Sequence, residues 1–128
     1  MTRTEYTEAG LFKQREEWKA TFAPQPGDIV AQEHWCSTGV ANIDLHLQLK
    51  KHGIHKLIVI GLIAHTCVEA IVRFAAELGY EVTIVKEATA DYSDEEMHAA
   101  LDVNIPNYAS AIVTTNESSS RSLLSLNL

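Results

Sequence analysis

Basic residues are scarce in this chain. Ten Lys and Arg stand against 17 Asp and Glu, giving a formal charge of −7. Such a field repels phosphate backbones and anionic lipid surfaces, so neither nucleic acid nor a membrane is expected as a partner. No stretch reaches the roughly 18 consecutive apolar residues that a membrane-crossing helix needs, and the opening MTRTEYTEAG lacks the apolar core of a signal peptide. A cytoplasmic location is expected. Cysteine is limited to Cys36 and Cys67, which read as free thiols, not as a disulfide framework. There is no GxGxxG loop, no GxxxxGK followed by Ser or Thr, and no internal repeat, so an α/β pattern here does not imply a nucleotide module.

What remains is a composition of 46% hydrophobic and 21% charged residues over 128 positions, the balance of one ordinary globular domain. Residues 7–22 have good helix formers after Thr7, and 1–22 is expected to be an N-terminal segment with a helix. Pro24-Gln25-Pro26-Gly27 interrupts it, since proline lacks a backbone donor and restricts its predecessor. Strands are expected at Asp28–Trp35, at Lys56–Leu62 as an apolar run covered on both faces, at Tyr80–Lys86 and at Ala109–Thr115. Helices are expected at Asn42–His52, opened by Asn42 with Ile43, Leu45, Leu47 and Leu49 as apolar faces, and at Thr66–Leu78, with Val68, Ile71, Val72 and Ala75 buried. Gly53 and Gly79 follow them where left-handed caps are common. Ser93 and Glu96 have capping-box spacing, predicting a helix over about 94–103. This alternation predicts right-handed βαβ units in an open parallel sheet within a three-layer α/β/α sandwich. The serine- and leucine-rich end, 118–128, is expected to be a flexible tail.

Ligands of open parallel sheets bind beyond the carboxyl ends of the strands. The segment GLIAHTCVE, Gly61–Glu69, leaves the apolar strand there and enters a helix with Cys67 in its first turn, where unpaired amides favour a thiolate. A cysteine is in general more often a small buried hydrophobe; this position brings the two readings level.

The run GLIAHTCVEAIVRFAAELGYEVTIVKEATADYS resembles the signature of the isochorismatase-like cysteine hydrolases, which include nicotinamidases, N-carbamoylsarcosine amidase-like enzymes and isochorismatase. GDIVAQEHWCSTGVANIDLHLQLKKHGIHKLIVIG before it and MHAALDVNIPNYASAIVTTNE after it are similar to the flanking family segments. The likeness is collinear over about 23–117, taken as the domain. It implies a Rossmann-like fold and a hydrolase of small amides or related molecules. In that chemistry Cys67 is the nucleophile, the main-chain amides of Ile63 and Cys67 form the oxyanion hole, and the Leu62–Ile63 peptide is cis.

Two departures matter. Gln32 stands where the family has its lysine, and nothing in 1–22 resembles the first strand with its aspartate. The chain therefore resembles an N-terminally truncated or degenerate member lacking that strand. The departures leave open a catalytically inactive protein that assembles or binds ligand without turnover. Edges left without that strand predict a homo-oligomer or a marginally stable fragment. His65 and His34 are candidate substitutes for the base, although each is more often an ordinary polar residue, and alternation puts Glu33 opposite His34. Trp35, Val40, His65 and Tyr92 are candidate pocket residues for a small-molecule substrate. His46 and His52 are six apart and His55 and His98 have no partner at ligand spacing, so neither metal nor other cofactor is expected.

Overall fold

The computed structural model describes residues 23–32, 37–41 and 43–121. The chain divides into two compact units, the first ending at Val30 and the second beginning at Ala31. The helix expected at 7–22, and Glu33, His34, Trp35, Cys36 and Asn42, lie outside the described residues.

In the first unit Gln25 and Asp28 close a turn reciprocally. The Asp28 N–H donates to the Gln25 carbonyl at 3.0 Å, and the Gln25 N–H donates to the Asp28 carboxylate at 2.7 Å. The strand expected from Asp28 does not form over 28–32. A strand is defined by its ladder, and no described strand pairs with this segment. At its far end, in the second unit, the Gln32 N–H is instead taken by the Asp44 carboxylate at 3.1 Å.

The second unit begins with helix α1, Leu45–Lys51. It starts later than expected, and Asp44, the residue before it, makes no side-chain cap. Leu49 is fully buried, whereas Leu47 is exposed, because residues two apart point to different sides of a helix. Gly53, at φ +66, ends it.

Strand β1, Lys56–Leu62, follows as expected. Leu57 and Val59 are buried, but Ile60 is 48% and Leu62 68% exposed. The expectation of cover on both faces fails: alternation sends these side chains to opposite faces, and only one is sealed. A single π-helical turn, Ala64–Val68, leads into α2, Glu69–Glu77. Val68, Val72 and Ala75 are buried as predicted, with Ile71 half-buried.

Strand β2, Glu81–Ala90, runs four residues beyond the expected end. It lies between β1 and β3, Ala111–Val113, and both pairings are parallel. Between the pairs Val59–Ile84 and Gly61–Thr89, β2 advances five residues while β1 advances two, so β2 bulges. Gly61 sits opposite this irregularity at φ +123, a backbone state that a β-carbon would disfavour. Within the bulge Thr89 donates to the Val85 carbonyl at 2.9 Å, which satisfies its buried hydroxyl.

Helix α3, Asp94–His98, continues through a π-helical stretch, Ala99–Asn104, and a 3-10 turn, Ile105–Asn107. The Ser93 hydroxyl accepts the Glu96 N–H at 3.2 Å and donates to the Glu96 carboxylate at 2.9 Å, so the box closes through the side chains. β3 stops short of the predicted Thr115, where α4, Thr115–Arg121, begins. The Glu87 carboxylate fixes that start by accepting from both the N–H and the hydroxyl of Thr115, at 2.8 and 3.2 Å.

Leu49, Val72, Val82, Ile84, Leu101 and Ile105 are fully buried and join helices to sheet; each contributes roughly 1.5–3 kcal/mol of transfer free energy. Among the described residues no helix is long and apolar enough to cross a membrane.

Candidate functional site

The rim formed by the carboxyl ends of β1 and β2 carries the polar chemistry. β1 ends at Leu62, and the Leu62–Ile63 peptide is cis. The chain then turns so that the Ile63 carbonyl accepts the N–H groups of both Thr66 and Val68, each at 3.2 Å. Cys67 lies between them with a free, half-buried thiol, and the Thr66 hydroxyl points at its sulfur from 3.8 Å. It is neither mid-helix in α2 nor sealed in the core. The Ile63 carbonyl thus pins the residues on either side of Cys67 and holds the turn that carries its thiol.

β2 ends beside this turn. Ala90 pairs with Leu62, so the next residue, Asp91, meets the turn. Its side chain has 0% solvent exposure, and its carboxylate accepts the His65 N–H at 2.8 Å, the His65 Nδ1 at 2.7 Å and its neighbour's Tyr92 N–H at 2.8 Å. The hydrogen bond to Asp91 holds the His65 pKa above its ordinary 6.5, against the effect of burial; the charges of Asp91, Glu96 and Glu69 add to it. Burial pushes the Asp91 carboxyl upward, but hydrogen bonds from the His65 ring, the His65 N–H and the Tyr92 N–H outweigh it and leave the pKa below 3.8. His65, 31% exposed, is therefore not a turn residue merely facing solvent. Nor does the turn favour a Cys67–His65 dyad: residues two apart on a helical turn face apart, and the His65 ring is directed to Asp91.

Tyr92 is exposed and stands edge-on to the His65 ring, 6.4 Å between centroids. Val40 is buried, as ordinary packing would have it. Trp35 and His34 lie outside the described residues, and Gln32 is exposed. Glu69, just after the turn, is held by Arg73 at 2.7 Å and Asn104 at 3.3 Å. His46 meets the Tyr80 hydroxyl at 2.9 Å, His52 meets the Gln48 carbonyl at 2.7 Å, and His98 pairs with Asp102 at 2.8 Å, a partner that the spacing argument overlooked.

His65, Asp91 and Glu96 bring ligand-type atoms within 4.8 Å of one another, the one such group among the described residues. Spacing rules miss it because its members come from a turn, a strand end and the next helix. Asp91 lies beyond the end that the sequence pattern predicts for β2 at Lys86, because the bulge that extends the strand is a tertiary feature. The available signal was the residue's place at the end of the EATAD run.

A parallel α/β sheet with a polar rim at its carboxyl ends defines the class of protein. The match to known proteins is more specific: residues 7–118 fit the Isochorismatase domain model, and the chain belongs to the isochorismatase family. It is similar to the isochorismatase family protein YwoC of Bacillus subtilis, 34% identical over 92 residues that cover 68% of this chain and 48% of that protein. It is also similar to the ureidoacrylate amidohydrolase RutB of Agrobacterium fabrum, 29% identical over 94 residues that cover 73% and 41%. An isochorismatase-like hydrolase from Alkaliphilus metalliredigens shares the fold, with a TM-score of 0.71 at 23% identity over 77% of this chain and 54% of that one. The chain thus spans less than half the length of these two sequence relatives.

Proposed function

We propose that the chain is a hydrolase of small amides or ureido compounds acting through a Cys67 thiolate. The observation that carries this is the free, half-buried Cys67 thiol on a strand-to-helix turn that opens with the cis Leu62–Ile63 peptide and is held by the Ile63 carbonyl. In the reaction Sγ attacks the carbonyl carbon and a C–S bond forms. The oxygen takes negative charge, which two preorganised amides stabilise by about 3 kcal/mol each. The C–N bond breaks, the proton originally on the thiol leaves with ammonia or an amine, and water cleaves the thioester to the acid and the thiol. The substrate class is supported by the family and by a relative named as an amidohydrolase.

Gln32 favours a second reading. It is exposed and uncharged where the resemblance places a lysine, so turnover is slow or absent and the chain binds ligand without releasing product. Ammonia release from a panel of ureido acids and small carboxamides, with intact-mass detection of a Cys67 acyl adduct, tests both. Release over many turnovers that disappears in Cys67→Ala is expected for the first reading; for the second, release stops at or below the one equivalent that accompanies a single acylation of Cys67. Release unchanged in Cys67→Ala overturns both.

The chain acts as a homo-oligomer. The exposed Ile60 and Leu62 on β1 support this, and a monomer by light scattering would refute it.

A further inference from the structure

We infer that Asp91 is a positioning residue for Cys67, gripping His65 by main chain and side chain and so setting the turn that presents the thiol. This rests on the reading of Cys67 as nucleophile. The geometry is specific. The Asp91 carboxylate is shut off from solvent yet accepts three N–H groups, two of them from the single residue His65. A buried carboxylate is costly unless its oxygens are satisfied, and here two of the three groups that satisfy it belong to the first turn of the Ala64–Val68 segment. The grip therefore fixes the segment in which the Thr66 and Val68 amides go to Ile63 and Cys67 stands between them. The imidazole is the second handle: protonated, it binds Asp91 as an ion pair, and neutral, only as a hydrogen bond.

The charged groups facing His65 are Asp91 at the end of β2, Glu96 from α3 and Glu69 from α2. Glu69 is engaged by Arg73 and Asn104, and Glu96 by Ser93. In the packed stretch 99–104, Asp102 is engaged by His98 and Lys86. The tightness of the turn should therefore follow the protonation of His65.

The test is the rate of iodoacetamide labelling of Cys67 against pH, followed by peptide mass spectrometry on the full chain. The urea-unfolded chain serves as the reference thiol, and NMR titration of His65 is run on the same samples. Wild type should label at Cys67 about tenfold faster or more than the unfolded chain below pH 7. The profile should carry a step at the His65 pKa. Asp91→Asn should lose most of the acceleration and lower the His65 pKa. His65→Gln, which keeps the main-chain bond, should lose the step while keeping part of the acceleration; it also decides the matter if Asp91→Asn does not fold. A fast wild type whose profile is unchanged in folded Asp91→Asn or in His65→Gln overturns this inference and leaves the nucleophile reading intact. A wild-type Cys67 no faster than the unfolded reference overturns both.

Discussion

The turn after β1 and the residue Gln32 are the places to which the family resemblance assigns a nucleophile and a lysine, and they differ in what they are made of. The half around Cys67 is built largely of main chain: a carbonyl with two donors, a cis peptide, and a buried carboxylate tying the turn to the end of β2. The half that the family resemblance assigns to a lysine depends on one side chain carried by a strand. Here the strand is absent over 28–32 and the residue is an exposed glutamine. A main-chain site survives substitution as long as the fold holds, whereas a side-chain site is lost with one codon.

Cys67→Ala should have the largest effect on chemistry. Any hydrolysis should fall by roughly three orders of magnitude or more, as removal of a nucleophile does, measured as ammonia release at saturating substrate. Residual activity near wild type would place the chemistry elsewhere. Stability should divide along the same line. Ile84→Ala, at the centre of β2 with no exposed surface, should cost about 2–5 kcal/mol in urea unfolding. Val30→Ala, 64% exposed, should stay within about 0.5 kcal/mol. Equal costs would mean that the first segment is as firmly packed as the sheet.

Ser93→Ala removes the α3 cap and should cost about 1 kcal/mol. The pH dependence sharpens the rim itself. The raised pKa of His65 contributes stability that is fully present below 6.5 and is lost as pH rises through its folded value. The lowered pKa of Asp91 contributes stability present above 3.8 and lost as pH falls through its folded value. Melting temperature should therefore show a shallow alkaline decline that His65→Gln abolishes; a decline retained in that variant belongs to another group. Smallest of all should be Gln32→Lys, which places a solvated ammonium on an exposed position and should leave turnover unchanged. Turnover appearing on that change alone would show that this half of the site is already in place.

Local signals were legible wherever the chain speaks to itself. The caps at Gly53 and Gly79, the Ser93 to Glu96 box, the apolar run of β1 and the stripe Val68, Val72, Ala75 depend on residues a few positions apart, and the structure carries all of them. The resemblance carried the family and the cis bond at Leu62–Ile63. What stayed hidden depends on partners distant in sequence: the absence of a strand at 28–32, the exposed face of β1, the start of α4 on Glu87, and the Asp91 grip on His65, 26 residues away.

The bulge in β2 makes that grip possible. Had β2 kept the register of Val59–Ile84, Leu62 would face Glu87, and Asp91 would project about 10 Å further along the strand. The three surplus residues act as a spacer, drawing the chain in until Asp91 comes level with the residue that follows the neighbouring strand's end. Loop-length change within 85–89 is thus a lever on the site without touching any residue in it: trimming the spacer would leave every site side chain in the sequence and unhook the catch.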